Sequence, residues 1–310
     1  ATARQGGEEA IPVPKDAGAS AVAPPTSGRG TWGMVVYFVV TFGGAWLLEL
    51  GPVRARGLQS GHPVVILAMV GVMFCPAVGA LMARLVEGCG FEDARLRWGK
   101  GRFVAVAWLL PFVLIAVSVA LTVLLGAGTF DPSGQTILAA LPAAKRAEAA
   151  RQIAAFGPWL LPLTLLSALT MGIATTSIAT FGEEFGWRGY LQPRLVVVGR
   201  AQGMALVGLI WGLWHAPAIL LGLNYPGHPL EGVLLMTVFC VLLALIFGWL
   251  FDRADSLLAP VIAHASLNSA GGSLAAFVGA TDPTIGGACR RGDDIGSFAL
   301  CSRPVGCRRA

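Results

Sequence analysis

Seven apolar runs of spanning length constrain this chain more than anything else in it; they lie at about 32–50, 63–86, 103–125, 158–181, 201–222, 231–251 and 256–280. A helix crosses about 30 Å of hydrocarbon in roughly 20 residues. An open strand edge cannot be satisfied in lipid, so each run is expected to be a helix. The first run carries Glu49 near its end, and the last is diluted by His264, Ser266, Asn268 and Ser269. A soluble chain of 310 residues has no need of such runs, and its charged content would be near a quarter; here it is 13%. The expected fold is all-α, a polytopic transmembrane helical bundle of about seven to eight spans. The chain is thus expected to be an integral, multi-pass protein whose first partner is the lipid bilayer, of the cell membrane in a bacterium or of an organelle in a eukaryote.

The formal net charge of +5 raises nucleic acid as a partner. The basic residues sit between the apolar runs, however, with no basic stripe interleaved by aromatics, so no nucleic-acid binding is expected. They instead report topology. In a seven-span arrangement the N-terminal side holds twelve: Arg4, Lys15, Arg29, Arg84, Arg95, Arg97, Lys100, Arg102, Arg188, Arg194, Arg200 and Arg253. The other side holds five before the C-terminal tail, namely Arg54, Arg56, Lys145, Arg146 and Arg151. That asymmetry favours a cytoplasmic N-terminus. An eighth, half-spanning segment near 189–200 would change the parity downstream.

Four regions follow: a disordered tail over 1–30, N-terminal transmembrane helices with a connecting helix over 31–157, a polar-residue-bearing core over 158–280, and a C-terminal tail over 281–310. The connection includes AAKRAEAARQIAAF, an alanine-rich helix former suited to lying along the membrane surface or in water. Among the cysteines, Cys75 and Cys240 read as small buried hydrophobes. Cys89 falls in a loop, and Cys289, Cys301 and Cys307 in the tail; no pair has C-x-x-C spacing.

Ionisable residues within membrane segments are costly and need a reason. The stretch Phe181-Gly182-Glu183-Glu184-Phe185-Gly186-Trp187-Arg188 ends the fourth run. Helical spacing sets Glu184 and Arg188 one turn apart in the favourable order. Glu183 is turned about 100° away and can face something else. Next comes Trp211-Gly212-Leu213-Trp214-His215-Ala216-Pro217, with Trp211 one turn before His215 on the same face. Pro217 takes the helical partner from the Leu213 carbonyl and can bend the helix there. The third set is His264-Ala265-Ser266-Leu267-Asn268, with His264 and Asn268 on one face. His228 and His62 sit beside prolines in turns and are left out of the set. If the three segments converge, they supply a base for water, a second polarising group and donors for an oxyanion. The same groups could instead give two imidazoles and a carboxylate to zinc, with water in the fourth position. As proton relays they would equally suit an ion-coupled transporter, although no internal repeat of broken helices accompanies them.

The pattern E-E-x-x-x-R, then an aromatic-x-x-x-H, then H-x-x-x-N resembles the three motifs of the CPBP family, which includes type II CAAX prenyl proteases and bacteriocin-processing and self-immunity proteins. The resemblance covers roughly 158–280. Glu183, Glu184, Arg188, His215, His264 and Asn268 fall on its motif positions, and Trp211 stands where the family usually has phenylalanine. The resemblance implies an intramembrane endopeptidase, metalloprotease or glutamate-type, acting on peptide or lipidated-protein substrates. By it, Glu183 and His215 activate water, His264 and Asn268 stabilise the oxyanion, and Glu184 and Arg188 keep the set in register. A zinc site would draw on His215, His264 and Glu183. The metal-free scheme is preferred, because Asn268 beside His264 is a good oxyanion donor and an uncommon zinc ligand. A catalytically idle scaffold or immunity factor with the same motifs is the alternative.

Overall fold

The computed structural model describes residues 28–58, 60–141 and 143–280. Residues 1–27 and 281–310, including Cys289, Cys301 and Cys307, lie outside the described residues, whereas 28–30, expected in the N-terminal tail, already belong to the first helix. In chain order the elements are α1 (Gly28–Arg56), α2 (Pro63–Glu87), α3 (Gly101–Leu124), β1 (Gly128–Phe130), α4 (Gln135–Ala140) and α5 (Ala143–Val198). They continue with α6 (Arg200–Trp214), α7 (Ala216–Leu220), α8 (Pro229–Ala254), α9 (Leu258–Ala275) and β2 (Val278–Ala280). Local chemistry sets several ends. His62 Nδ1 accepts the Val64 amide at 3.2 Å ahead of Pro63, and α2 stops at Gly88, which takes a left-handed φ of 69°.

Among the described residues, five helices, α1, α2, α3, α5 and α8, are long and apolar enough to cross a bilayer. The other two apolar runs became shorter elements for reasons visible in their residues. Pro217 has no amide hydrogen, and the chain turns at His215, so the run 201–222 divides into α6 and α7. The run 256–280 yields the 18-residue α9 and then β2, which pairs antiparallel with β1, Val278 opposite Phe130. The alanine-rich AAKRAEAARQIAAF forms the start of α5 and buries no side chain. A 3₁₀ turn at Gly157–Trp159 joins it to the apolar part.

Large apolar side chains cover the outside of the bundle: Leu47, Leu67, Leu85, Leu124 and Leu234 are 66–82% exposed. A surface of this kind suits lipid and not water. The protein is an integral, multi-pass membrane protein. One end of the bundle is laced by ion pairs. Arg84 meets Asp93 at 2.7 Å, Arg95 meets Asp252 at 3.2 Å, Arg97 meets Asp255 at 2.6 Å and Arg200 meets Asp252 at 2.8 Å. Arg194 joins the same end through Glu87 and, at 3.0 Å, Asp93. Five of the basic residues grouped by the topology count, Arg84, Arg95, Arg97, Arg194 and Arg200, thus gather at this end; Arg188 is fully buried beside Glu184, and Arg4 and Lys15 lie outside the described residues. Arg194, near the end of α5, and Arg200, at the start of α6, thus both pair at this end.

Inside, two glycine pairs set how closely the helices approach. A Cβ on Gly182 would lie 2.7 Å from the Met73 carbonyl oxygen, and one on Gly186 2.7 Å from that of Pro76, so α5 meets α2 backbone to backbone. Gly208 and Gly212 do the same for α6 on α8, where the added carbons would lie 2.7 Å from the Cys240 carbonyl oxygen and 2.5 Å from Thr237 Cα. Both pairs have the four-residue spacing of small-residue helix contacts in membranes. They flank the polar residues: Glu183 and Glu184 lie between the first pair, and Trp211 sits beside Gly212. Gly186→Leu or Gly212→Val is expected to cost about 1–3 kcal/mol through overpacking. Gly43→Ala, which would meet nothing within 4 Å, serves as the control. Melting temperatures in detergent check this, and equal melting of all three variants would show the seams to be loose.

Candidate active site

The polar residues come from α5, α6 and α9, and each is aimed by its own helix. On α5, Glu184 and Arg188 are both 0% exposed, and Arg188 Nη1 donates to Glu184 Oε1 at 2.9 Å. This ion pair lies across the end of the regular helix and a π-helical turn, Trp187–Leu191. Such turns recur at functional positions, because they widen the helix and redirect side chains. From α9, His264 brings Nδ1 to within 2.8 Å of the same Glu184 oxygen. Glu184 Oε1 already accepts from Arg188, and it accepts from His264 too, so the Nδ1–H of His264 donates and Nε2 is left free.

Glu183 points elsewhere, as its rotation about the helix demands. Trp211 Nε1–H on α6 donates to Glu183 Oε2 at 2.9 Å, and both side chains are buried. His215, half-buried at the break between α6 and α7, has Nδ1 2.8 Å from the Trp211 carbonyl oxygen. A carbonyl can only accept, so His215 also donates through Nδ1 and leaves Nε2 with its lone pair. The two imidazoles thus have the same arrangement, one nitrogen tied and one free.

Trp211, the aromatic of the second motif, is a hub whose contacts the motif did not reveal. The Arg188 guanidinium carbon lies 4.7 Å from its ring centre, and the His215 and His264 rings lie 5.8 Å and 5.2 Å from it. Phe247 of α8 closes the other side, 5.2 Å from the Arg188 guanidinium and 5.8 Å from the His264 ring. The spacing Trp211-x-x-x-His215 marked a shared face, but nothing in it disclosed a bond to a glutamate 28 positions earlier. α1 supports the same place. Trp214 Nε1 donates to the Thr41 carbonyl at 3.1 Å, and Trp46 Nε1 donates to the Trp214 carbonyl at 3.2 Å, holding the residue before His215.

The structure brings together Glu183, Glu184, Arg188, His215 and His264. Asn268 follows one turn after His264 on the same face, is exposed, and makes no side-chain hydrogen bond among the described residues. Two carboxyl groups and one guanidinium are thus enclosed together in buried surroundings. Proton uptake and release are what such a cluster is suited to. Among the described residues, no three His, Cys, Asp or Glu side chains are grouped to hold a metal ion.

Residues 160–270 match the family model of the Rce1-like type II CAAX prenyl endopeptidases. The chain carries an Rce1-like domain. The domain starts in the apolar part of α5, ends within α9, and contains all six polar residues read from the motifs. It supports an intramembrane protease in general terms and agrees with the membrane-embedded bundle. No curated protein and no solved structure shows a significant match to the chain. α1 to α3 lie outside the Rce1-like domain, yet α1 braces the end of α6 within it.

Proposed function

We propose that this protein is an intramembrane endopeptidase that hydrolyses peptide or lipidated-protein substrates reaching it through the bilayer, using water activated by Glu183 and His215. The observation that carries this reading is the gathering of Glu183, His215 and His264 around one buried indole. Glu183 keeps Oε1 clear of protein donors among the described residues, and His215 keeps Nε2 clear. Water held between them loses a proton to Glu183 as its oxygen attacks the substrate carbonyl carbon. The negative charge that develops on the carbonyl oxygen needs donors already in place. His264, hydrogen-bonded at Nδ1 to Glu184, supplies one through Nε2–H when it carries a second proton. Asn268, exposed one turn on, supplies a second donor to a substrate lying along that face of α9. Collapse of the tetrahedral intermediate breaks the C–N bond, and the proton held by Glu183 passes to the leaving amine. One water and one peptide bond give one carboxylate and one amine.

Zinc is the other way of activating that water, and His215, His264 and Glu183 are the residues it would draw on. Among the described residues no three His, Cys, Asp or Glu side chains are placed so that they could share a metal ion, and this does not favour a zinc site.

The test uses the full chain in proteoliposomes with prenylated and unprenylated C-terminal peptides. Mass mapping should find one cut, with one ¹⁸O atom from labelled water in the new carboxylate. His264→Ala is expected to lower kcat by about 10²–10³, as loss of an oxyanion donor does elsewhere. Absence of any cleavage by the unaltered protein, or equal rates with His264→Ala, would remove this reading.

A further inference from the structure

Neighbouring glutamates on α5 have opposite surroundings. Glu184 is held by a cation, Arg188, and by the His264 ring on the same oxygen. Glu183 is held on Oε2 by a neutral donor, the Trp211 indole, which is its single side-chain partner among the described residues. The difference has a chemical meaning. A guanidinium on Glu183 would fix it in place but spend its negative charge on the pair. An indole N–H fixes one oxygen while leaving the carboxylate its full charge. A carboxylate free to rotate presents either oxygen in many directions; one hydrogen-bonded at Oε2 presents Oε1 in one.

The indole is itself held firmly. The Arg188 guanidinium packs on its face, and Phe247 stands 6.3 Å away on α8. Both imidazoles pack against its ring, His215 tilted at 5.8 Å and His264 T-shaped at 5.2 Å. Trp211 is 2% exposed, so water does not compete for its N–H. A phenylalanine would fill most of this space, yet would leave Glu183 Oε2 without a donor.

We propose that Trp211 is a positioning residue for hydrolysis: its indole N–H locks Glu183 Oε2 so that Oε1 faces the water, and its ring packs against both His215 and His264. This rests on the protease reading above. The role is carried by one hydrogen atom, so it can be removed without removing the ring. Replacing Trp211 with β-(3-benzothienyl)alanine keeps the bicyclic shape and substitutes sulfur for N–H; Trp211→Phe is the genetically simple counterpart.

Both are tested in the full chain in lipid nanodiscs. Hydrogen bonds to charged groups are strong enough that kcat should fall roughly tenfold to a hundredfold. KM should stay within about twofold and the melting temperature should hold, because substrate contacts and packing are kept. A second readout needs no turnover. The indole N–H resonance of Trp211, assigned by its loss in Trp211→Phe, should move upfield in Glu183→Gln, whose amide oxygen is a weaker acceptor. Unchanged kcat in the benzothienyl variant, or an unmoved N–H resonance in Glu183→Gln, overturns the proposal while the unaltered protein still cleaves. Failure of the unaltered protein to cleave any peptide, with the resonance moving as expected, overturns the protease reading instead and takes the role in hydrolysis with it.

Discussion

Arg188→Ala is expected to damage folding and turnover together. The guanidinium is fully buried and donates to Glu184 Oε1, while its remaining face packs against Trp211 at 4.7 Å and Phe247 at 5.2 Å. Alanine would leave Glu184 as a buried carboxylate with His264 alone for a partner. Breaking a buried pair by removing one member costs roughly 3–5 kcal/mol, more than the pair is worth against an apolar replacement, because the surviving charge has nowhere to go. Loss of the cation–π contacts adds to this. The loss should appear as lower yield of folded protein and a lower melting temperature, alongside lost cleavage. A second variant separates the causes. Arg188→Ala combined with Glu184→Gln removes the stranded charge, so it should recover part of the stability. Turnover should stay low, because the His264 ring no longer has a carboxylate behind it. Normal expression and turnover of the single variant would show the pair to be incidental.

What the sequence disclosed was what lies along one helix. The apolar runs, the Glu184–Arg188 turn, the shared face of Trp211 and His215, and the break caused by Pro217 all follow from a period of 3.6 residues and from proline lacking an amide hydrogen. What it did not disclose lies between helices. His264 reaches Glu184 across 80 positions, and Trp211 reaches Glu183 across 28. Such pairings depend on how far each helix is rotated and slid against the next. The π-helical turns at Ala168–Gly172 and Trp187–Leu191 alter that rotation in α5. A π turn inserts a residue into the helical count, so a face projected from 158 onward is displaced by the time it reaches Glu183. The glycine seams could have been found by spacing, since Gly182 with Gly186 and Gly208 with Gly212 stand four apart within apolar runs. Their importance became clear only with the carbonyl oxygens against which they rest. Asn268 shows the opposite limit. Helical spacing correctly sets it on the His264 face, but a shared face does not ensure shared burial, and Asn268 is exposed where His264 is buried.

Glu183→Gln is expected to lower kcat by about 10²–10⁴ with little loss of stability, the range for removing a general base. Glutamine has the same shape as glutamate, and its amide oxygen can still accept from Trp211 Nε1–H, so the geometry around Oε2 is preserved. What disappears is the ability of the other oxygen to take a proton from water. The same substitution also separates the two chemistries when combined with metal analysis. If zinc activated the water through His215, His264 and Glu183, the glutamine variant would lose metal along with activity, and chelation of the unaltered protein would abolish cleavage reversibly. In the metal-free scheme, metal-depleted protein retains full turnover and the glutamine variant is inert whatever is added. The metal-free outcome is expected for a reason specific to this site. Each imidazole has a strong acceptor at Nδ1, which suits either scheme. Glu183, however, is committed on one oxygen to an indole donor, and among the described residues no three His, Cys, Asp or Glu side chains are placed so that they could share a metal ion. Elemental analysis of the purified protein beside cleavage with and without chelator reads the answer. Stoichiometric zinc whose removal stops cleavage, and whose return restores it, would reverse the mechanism while leaving the endopeptidase assignment in place.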